Sequence, residues 1–179
     1  MTTAISGRPF ILRPARTSDV QAIKGLVAPL AEQRVLVSKE TVAYFEGIQE
    51  MLVAEVPATD TTKAEVIGCG ALHVMWEDLA EIRTLAAAAR WRGHGVGHAM
   101  VEELLARARG LGVSRVFCLT FEVNFFIRHG FEVMPIQDAV SPDVYSELLR
   151  SHDEGVAEFL DLARVKPNTL GNTRMIRSL

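Results

Sequence analysis

The chain has 179 residues, 49% of them hydrophobic and 23% charged, with a formal net charge of -3 and an isoelectric point near 6.0. That length and balance suit one globular domain, residues 1–179, with a sizeable core, and argue against a nucleic-acid surface, which carries a clustered basic excess. No stretch approaches the roughly 18 apolar residues of a membrane span and the start lacks a long apolar core, so a cytoplasmic protein with no membrane partner is expected.

In chain order, Phe10-Ile-Leu-Arg-Pro-Ala alternates enough for a first strand, and Thr17-Ser-Asp-Val is a capping signal for an amphipathic helix through about Pro29. A second helix is expected over 38–49 and a strand over 51–56. The polar turn 59–63 joins that strand to the next, 65–75, as a hairpin. A strand over 78–85 follows, then a glycine-rich loop, a helix through Arg109 and a strand over 115–121. A short helix over 124–129, a strand over 131–134, a capped helix over 141–151 and a last strand over 157–162 complete the reading. Alternating strands and helices predict a mixed α/β sheet. Cys69 and Cys118 sit in apolar strand-like runs and read as small core residues, not as a disulfide or metal ligands.

The most informative segment is Arg92-Gly93-His94-Gly95-Val96-Gly97-His98. Three glycines at alternate positions let backbone amides approach an anion, and the helix that starts there turns its positive dipole end to the same spot. The segment lacks the Lys-Ser/Thr of a Walker loop and the spacing of a dinucleotide fold. Without a ligand it would be a plain strand-to-helix turn; with its flanking strand and helix it reads as a pyrophosphate cradle. It matches Arg/Gln-x-x-Gly-x-Gly/Ala through Arg92, Gly95 and Gly97, and so resembles the acyl-CoA loop of the GCN5-related N-acetyltransferases. The resemblance implies that family's fold, a mixed sheet of about seven strands flanked by helices, with acetyl-CoA as co-substrate across the splayed middle of the sheet. It implies that residues 92–98 bind the pyrophosphate, that Leu85, Ala86 and Ala87 offer backbone groups to the pantetheine arm, and that Asn124 adds a polar contact.

Acetyl transfer to an amine needs a base, because an ammonium group cannot attack a thioester. Glu81, early in the strand that runs into the loop, is the candidate; its alternative is a salt-bridged strand residue paired with Arg83, which shares its face by the two-residue period. The superfamily often carries a tyrosine acid four residues before the Gly-Phe that follows the short helix, and here that position is Phe126. Tyr44 and Tyr145 are the only tyrosines, and nothing in the sequence brings either to the site. A thiolate can also leave unassisted, given its intrinsic pKa of about 8.5. His94 and His98 have the spacing of a zinc pair but no third ligand, so no metal is expected; both read as loop and first-turn donors near phosphates. Ser114, Cys118 and Thr120 have no nucleophile elbow and read as strand residues.

Two further regions narrow the resemblance. Val27-Ala-Pro-Leu-Ala-Glu-Gln-Arg-Val-Leu-Val-Ser-Lys-Glu is similar to the substrate-side helix and loop of N-acetylglutamate synthases. The tail Phe159-Leu-Asp-Leu-Ala-Arg-Val-Lys-Pro-Asn-Thr-Leu-Gly-Asn-Thr-Arg-Met, with Gly68-Cys-Gly-Ala-Leu-His-Val and Glu81-Ile-Arg-Thr, resembles the short actinobacterial amino-acid N-acetyltransferases. That branch implies acetyl transfer to the α-amine of L-glutamate, the first step of arginine biosynthesis, with glutamine as an alternative acceptor. A dicarboxylate requires cations: Arg34, Lys39 and Arg83 lead, and Lys166, Asn168 and Arg174 in the tail come second. The long synthases carry an amino-acid-kinase-like domain through which arginine inhibits them, and 179 residues leave no room for one, so arginine feedback would use another surface. An exposed sheet edge suits a homodimer. A protein N-terminus or another small amine as acceptor, and a non-catalytic acyl-CoA module, remain the alternatives.

Overall fold

A computed structural model describes residues 9–37, 39–134, 140–153, 156, 160 and 171–179. The described strands form one seven-stranded sheet in the order β1-β2-β3-β4-β5-β7-β6. β1 (Ile11–Pro14), β2 (Met51–Val56), β3 (Glu65–Trp76) and β4 (Leu79–Ala87) pair antiparallel in succession, and the turn Glu77-Asp78 closes the β3–β4 hairpin. β5 (Arg115–Thr120) lies parallel to β4, which demands a crossover, and α3 (Val96–Gly110) supplies it. α3 covers one sheet face with Val96, Ala99, Met100, Val101, Leu104, Leu105 and Ala108, all buried against Leu72, Ala80, Ile82 and Val116. The other face carries two separate clusters. One packs α1 (Val20–Glu32) and Tyr44 of α2 (Thr41–Glu46) on Val53, Cys69, Ala71 and Ala86; the second surrounds Leu79 and Phe117 with Leu148 of α5 (Pro142–Leu148).

Two irregularities shape the middle of the sheet. The β4–β5 ladder holds for only three pairs, Leu79 with Arg115 to Glu81 with Phe117, so the β4 edge beyond Glu81 has no β5 partner and the strands diverge. A bulge then sets Thr84 and Leu85 of β4 against Gly70 alone, between the pairs Ala71–Arg83 and Cys69–Ala86. Thr84 takes a left-handed φ of 57° there. The extra residue reverses the alternation: Ala80 and Ile82 face α3, and after the bulge Leu85 and Ala87 do.

Of the strand expected over 157–162, only Leu160 lies among the described residues. Its amide donates at 3.0 Å to the carbonyl of Val156, itself helical, and not to a neighbouring strand; 157–159, 161 and 162 lie outside the described residues. The seventh strand is β7 (Thr173–Ser178), inserted between β5 and the two-residue β6 (Glu132–Val133). Its charged residues made it read as a polar tail, yet both its edges are hydrogen-bonded and Met175 is fully buried. The helix expected over 38–49 is shorter, because Gly47 ends α2 and a 3-10 turn, Ile48–Glu50, leads into β2. The helix expected over 141–151 is α5, capped by the Ser141 hydroxyl.

Candidate active site

Glu81 is the third residue of β4, at the last rung before β4 and β5 part. Period two along the strand sets Glu81 and Arg83 on the face opposite α3, and His73 of β3 lies across from Glu81 in the ladder. The Glu81 side chain is only 5% exposed; its Oε2 is 3.7 Å from the Arg83 guanidinium and accepts no hydrogen bond among the described residues. Burial pushes its carboxyl up to about 7, against the pull of Arg83 and Lys39. A carboxyl so tuned takes and returns protons near neutral pH.

Around it lies a network of alternating charges. One Arg83 nitrogen donates to both Asp153 carboxylate oxygens at 3.0 Å, and another donates to Glu50 at 3.0 Å. His73 Nδ1 is 2.8 Å from the other Glu50 oxygen. Burial opposes the charged forms of Glu50 and Asp153, but His73 and Arg83 outweigh it and hold both below the usual carboxylate range. Arg107 of α3 donates to the Gln49 and Glu50 carbonyls and so anchors the 3-10 turn that carries Glu50. Lys39, half-buried, makes no ion pair among the described residues; burial, then the nearby Arg83, lowers its pKa, against Glu81, Asp153 and Glu50. Lys39, Tyr44, Glu50, Arg83 and Thr84 line one recess.

At the end of β4 the chain makes a 3-10 turn and enters the glycine segment. Gly93 and Gly95 have φ of 79° and 78°, a conformation that costs other residues about 1 kcal/mol or more. Gly95 caps α3, and its carbonyl accepts the first intrahelical bond, from Ala99. The amides of the first turn, Val96, Gly97 and His98, therefore have no intrahelical acceptor. Gly97 serves close approach: a Cβ there would stand 3.3 Å from the Phe125 ring of α4 (Val123–Ile127). His98 bonds His129 at 2.8 Å.

Of the residues expected at a site, Glu81, Arg83 and Lys39 gather in one region. Leu85, in the bulge, and Ala86 and Ala87 after it run along the β4 edge that has no β5 partner, and residues 92–98 come between β4 and α3. Asn124 is exposed on α4. Arg34 is exposed in the turn after α1, with a left-handed φ of 59°, and is not among the residues of the recess. Arg174 belongs to β7, opposite Leu119, and not to a tail after the last strand; Lys166 and Asn168 lie outside the described residues. Phe126 is buried against Phe125 and Phe131, as a core ring. Tyr44 reaches the recess, whereas Tyr145 is exposed on α5. The sequence reading missed Glu50, His73, Arg107 and Asp153. A count from the Glu77-Asp78 turn sets Val74 opposite Glu81, and only the shift near Met75 brings His73 there; Asp153, 70 residues from Arg83, has no local signal.

The profile of the Acetyltransferase (GNAT) family matches residues 33–131. An amino-acid acetyltransferase of Mycobacterium tuberculosis is 52% identical over 166 residues, 93% of this chain and 92% of that one. A crystal structure of Rv2747 from Mycobacterium tuberculosis, in complex with CoA, superposes with a TM-score of 0.85 at 52% identity, over 94% of this chain and 98% of that one. An amino-acid acetyltransferase of Neisseria meningitidis is 29% identical over 133 residues, 73% of this chain and 29% of that longer protein. N-acetylglutamate synthase from Neisseria gonorrhoeae shares the fold, with a TM-score of 0.71 at 23% identity over 94% of this chain and 34% of that one. The splayed β4–β5 pair, the glycine turn after β4 and these likenesses agree: the chain belongs to the GNAT family of acetyltransferases, enzymes that use acetyl-CoA.

Proposed function

We propose that this acetyltransferase moves the acetyl group of acetyl-CoA to the α-amine of L-glutamate, giving N-acetylglutamate for arginine biosynthesis. Acetyl-CoA supplies the activated acyl group as a thioester. The amides at the start of α3, with Arg92 and His98, hold its diphosphate, and the unpaired β4 edge at Leu85, Ala86 and Ala87 receives the pantetheine arm. Lys39 and Arg83 hold acceptor carboxylates, and Glu81 takes the ammonium proton, directly or through one water, so that the free amine attacks without a covalent enzyme intermediate. The observation that carries this reading is a single buried carboxyl, tuned to about 7, at the rung where the sheet opens and beside two cations. The name of the 52% identical mycobacterial relative, an amino-acid acetyltransferase, supports a free amino acid as acceptor.

L-Glutamine is the second reading. Arg83 already meets Glu50 and Asp153, so a second acceptor carboxylate would enter among three carboxylates. A carboxamide would donate to one of them and accept from Arg83. Thiol release from acetyl-CoA, measured with glutamate, glutamine, aspartate and a short peptide, tests both readings. Saturable turnover with glutamate or glutamine and none with the peptide is expected. Turnover with the peptide alone would overturn the amino-acid acceptor.

A further inference from the structure

Where α4 meets the first turn of α3, three rings form a closed triangle. His98 lies 4.9 Å from Phe125 and 4.8 Å from His129, and Phe125 lies 5.0 Å from His129, centroid to centroid. His98 Nδ1 and His129 Nε2 are 2.8 Å apart. The absence of a side chain at Gly97 lets the Phe125 ring close the triangle from above. His129 is 8% exposed and fixed at its backbone: its amide donates to the Phe126 carbonyl at 2.9 Å, and its own carbonyl accepts from the Arg177 guanidinium of β7. A helical side chain leans toward its helix N-terminus, so His98 leans toward the free amides of the glycine turn. A partner fixed in this way restrains the rotation of a half-exposed ring that would otherwise be free at the edge of the turn.

We propose that His129 is a positioning residue for the co-substrate: through its bond to Nδ1 it holds the His98 imidazole over the glycine turn, with Nε2 left to donate to a diphosphate oxygen. The inference rests on the reading of residues 92–98 as the CoA cradle. A neutral His129 has one ring N–H. When Nε2 carries it, His129 donates to His98, and His98 keeps its own proton on Nε2 for the ligand. When Nδ1 carries it, His129 Nε2 accepts from His98 Nδ1, and only an imidazolium at His98 then also presents Nε2–H. A diphosphate oxygen selects the arrangements that leave a proton on His98 Nε2, and the bond between the rings is lost when both are charged and no acceptor remains between them.

Burial, the neighbouring His98, and Arg177 and Arg128 hold His129 below the ordinary imidazole range, with Glu102 of α3 opposing them. Arg109 of α3 lines one cleft with Glu102, Arg128, His129 and Arg177. Protonation of His129 is thus shifted to lower pH.

The test is calorimetric titration of CoA into the wild type, His129→Phe and His129→Gln, at about pH 7.5 and about pH 5. Phe keeps a ring in the triangle and removes the bond; Gln keeps a polar atom near the Nε2 position. At pH 7.5 the Phe variant should bind CoA roughly three- to tenfold more weakly, the worth of one hydrogen bond, and the Gln variant should recover most of that loss. The ratio of Phe-variant to wild-type Kd should be smaller at pH 5 than at pH 7.5, since acid protonates His129 and weakens the bond between the rings. Equal affinity of wild type and His129→Phe at pH 7.5, or a loss that is the same at both pH values and not restored by Gln, would overturn the inference. A folded wild type that gives no heat with CoA would instead overturn the cradle reading beneath it. Should His129→Phe fail to fold, 15N spectra of the wild-type imidazoles serve: His98 and His129 ring resonances should shift together on adding CoA, and unmoved resonances would sink the proposal.

Discussion

Glu81 shows how one side chain can be costly to the fold and, on the proposed mechanism, useful to the reaction. Its carboxyl is buried with an oxygen that accepts no hydrogen bond among the described residues, and its pKa rises from 4.5 to about 7. The folded protein therefore keeps this proton to a higher pH than the unfolded chain does. The stability associated with the neutral carboxyl is fully present below about pH 4.5 and is lost as pH rises through about 7. Glu81→Gln should thus melt higher than the wild type at pH 8.5, by a margin on the order of 2 kcal/mol, about 5 °C for a chain of this size, and the gap should shrink toward pH 5. Thermal melts across that range check it; a lower Tm for the variant at every pH would mean that the ionised carboxylate is held by a favourable network. The residue and its shared face with Arg83 were legible, because strand period and the position of the glycine turn depend only on local sequence. Its charged neighbours Glu50, His73 and Asp153 were not. They reach the site through a register shift and through contacts between distant segments.

At the scale of elements, the proposed cradle depends on how closely α3 sits on the sheet. Gly68 and Gly70 of β3 lie under that helix: a Cβ on Gly68 would stand 2.7 Å from Val96 Cγ1 and 3.3 Å from the Ala86 carbonyl, and one on Gly70 would stand 3.1 Å from Leu104 and Leu85. Val96 is the first residue of α3, so the contact that seats the helix is also the one that sets the height of its free amides. Gly68→Ala should destabilise by about 1–3 kcal/mol, the usual cost of overpacking. Adding Val96→Ala should cost less in that background than alone, since it removes the clashing methyl. Urea midpoints at constant slope for the four members of the cycle measure this, and additive effects would contradict the close packing. The long periodic elements were readable in sequence, α3 from its apolar stripe and the β2–β3 hairpin from its polar turn. β7 was not. Thr-Arg-Met-Ile-Arg-Ser has few apolar residues for a central strand, and its Arg177 contacts the His129 carbonyl and Gly130, which no periodicity encodes.

For the molecule as a whole, one sheet carries both halves of the proposed reaction. The α3 face builds the amide turn, and the opposite face gathers Glu81, Arg83 and His73 in the gap between its two apolar clusters. The opening between β4 and β5 joins the two faces at Glu81. The net charge of -3 conceals this arrangement, because cations are gathered locally, Lys39 and Arg83 in one recess and Arg109, Arg128 and Arg177 in another. The most direct test of the central claim is single-turnover thiol release from acetyl-CoA at saturating acceptor, for wild type and Glu81→Gln, from pH 6 to 9. The wild-type rate should rise with pH to a plateau, half-maximal near the Glu81 value of about 7. The variant should turn over about 100-fold more slowly or worse, without that inflection and with unchanged CoA affinity. A variant with the wild-type rate and the wild-type pH profile would contradict the account.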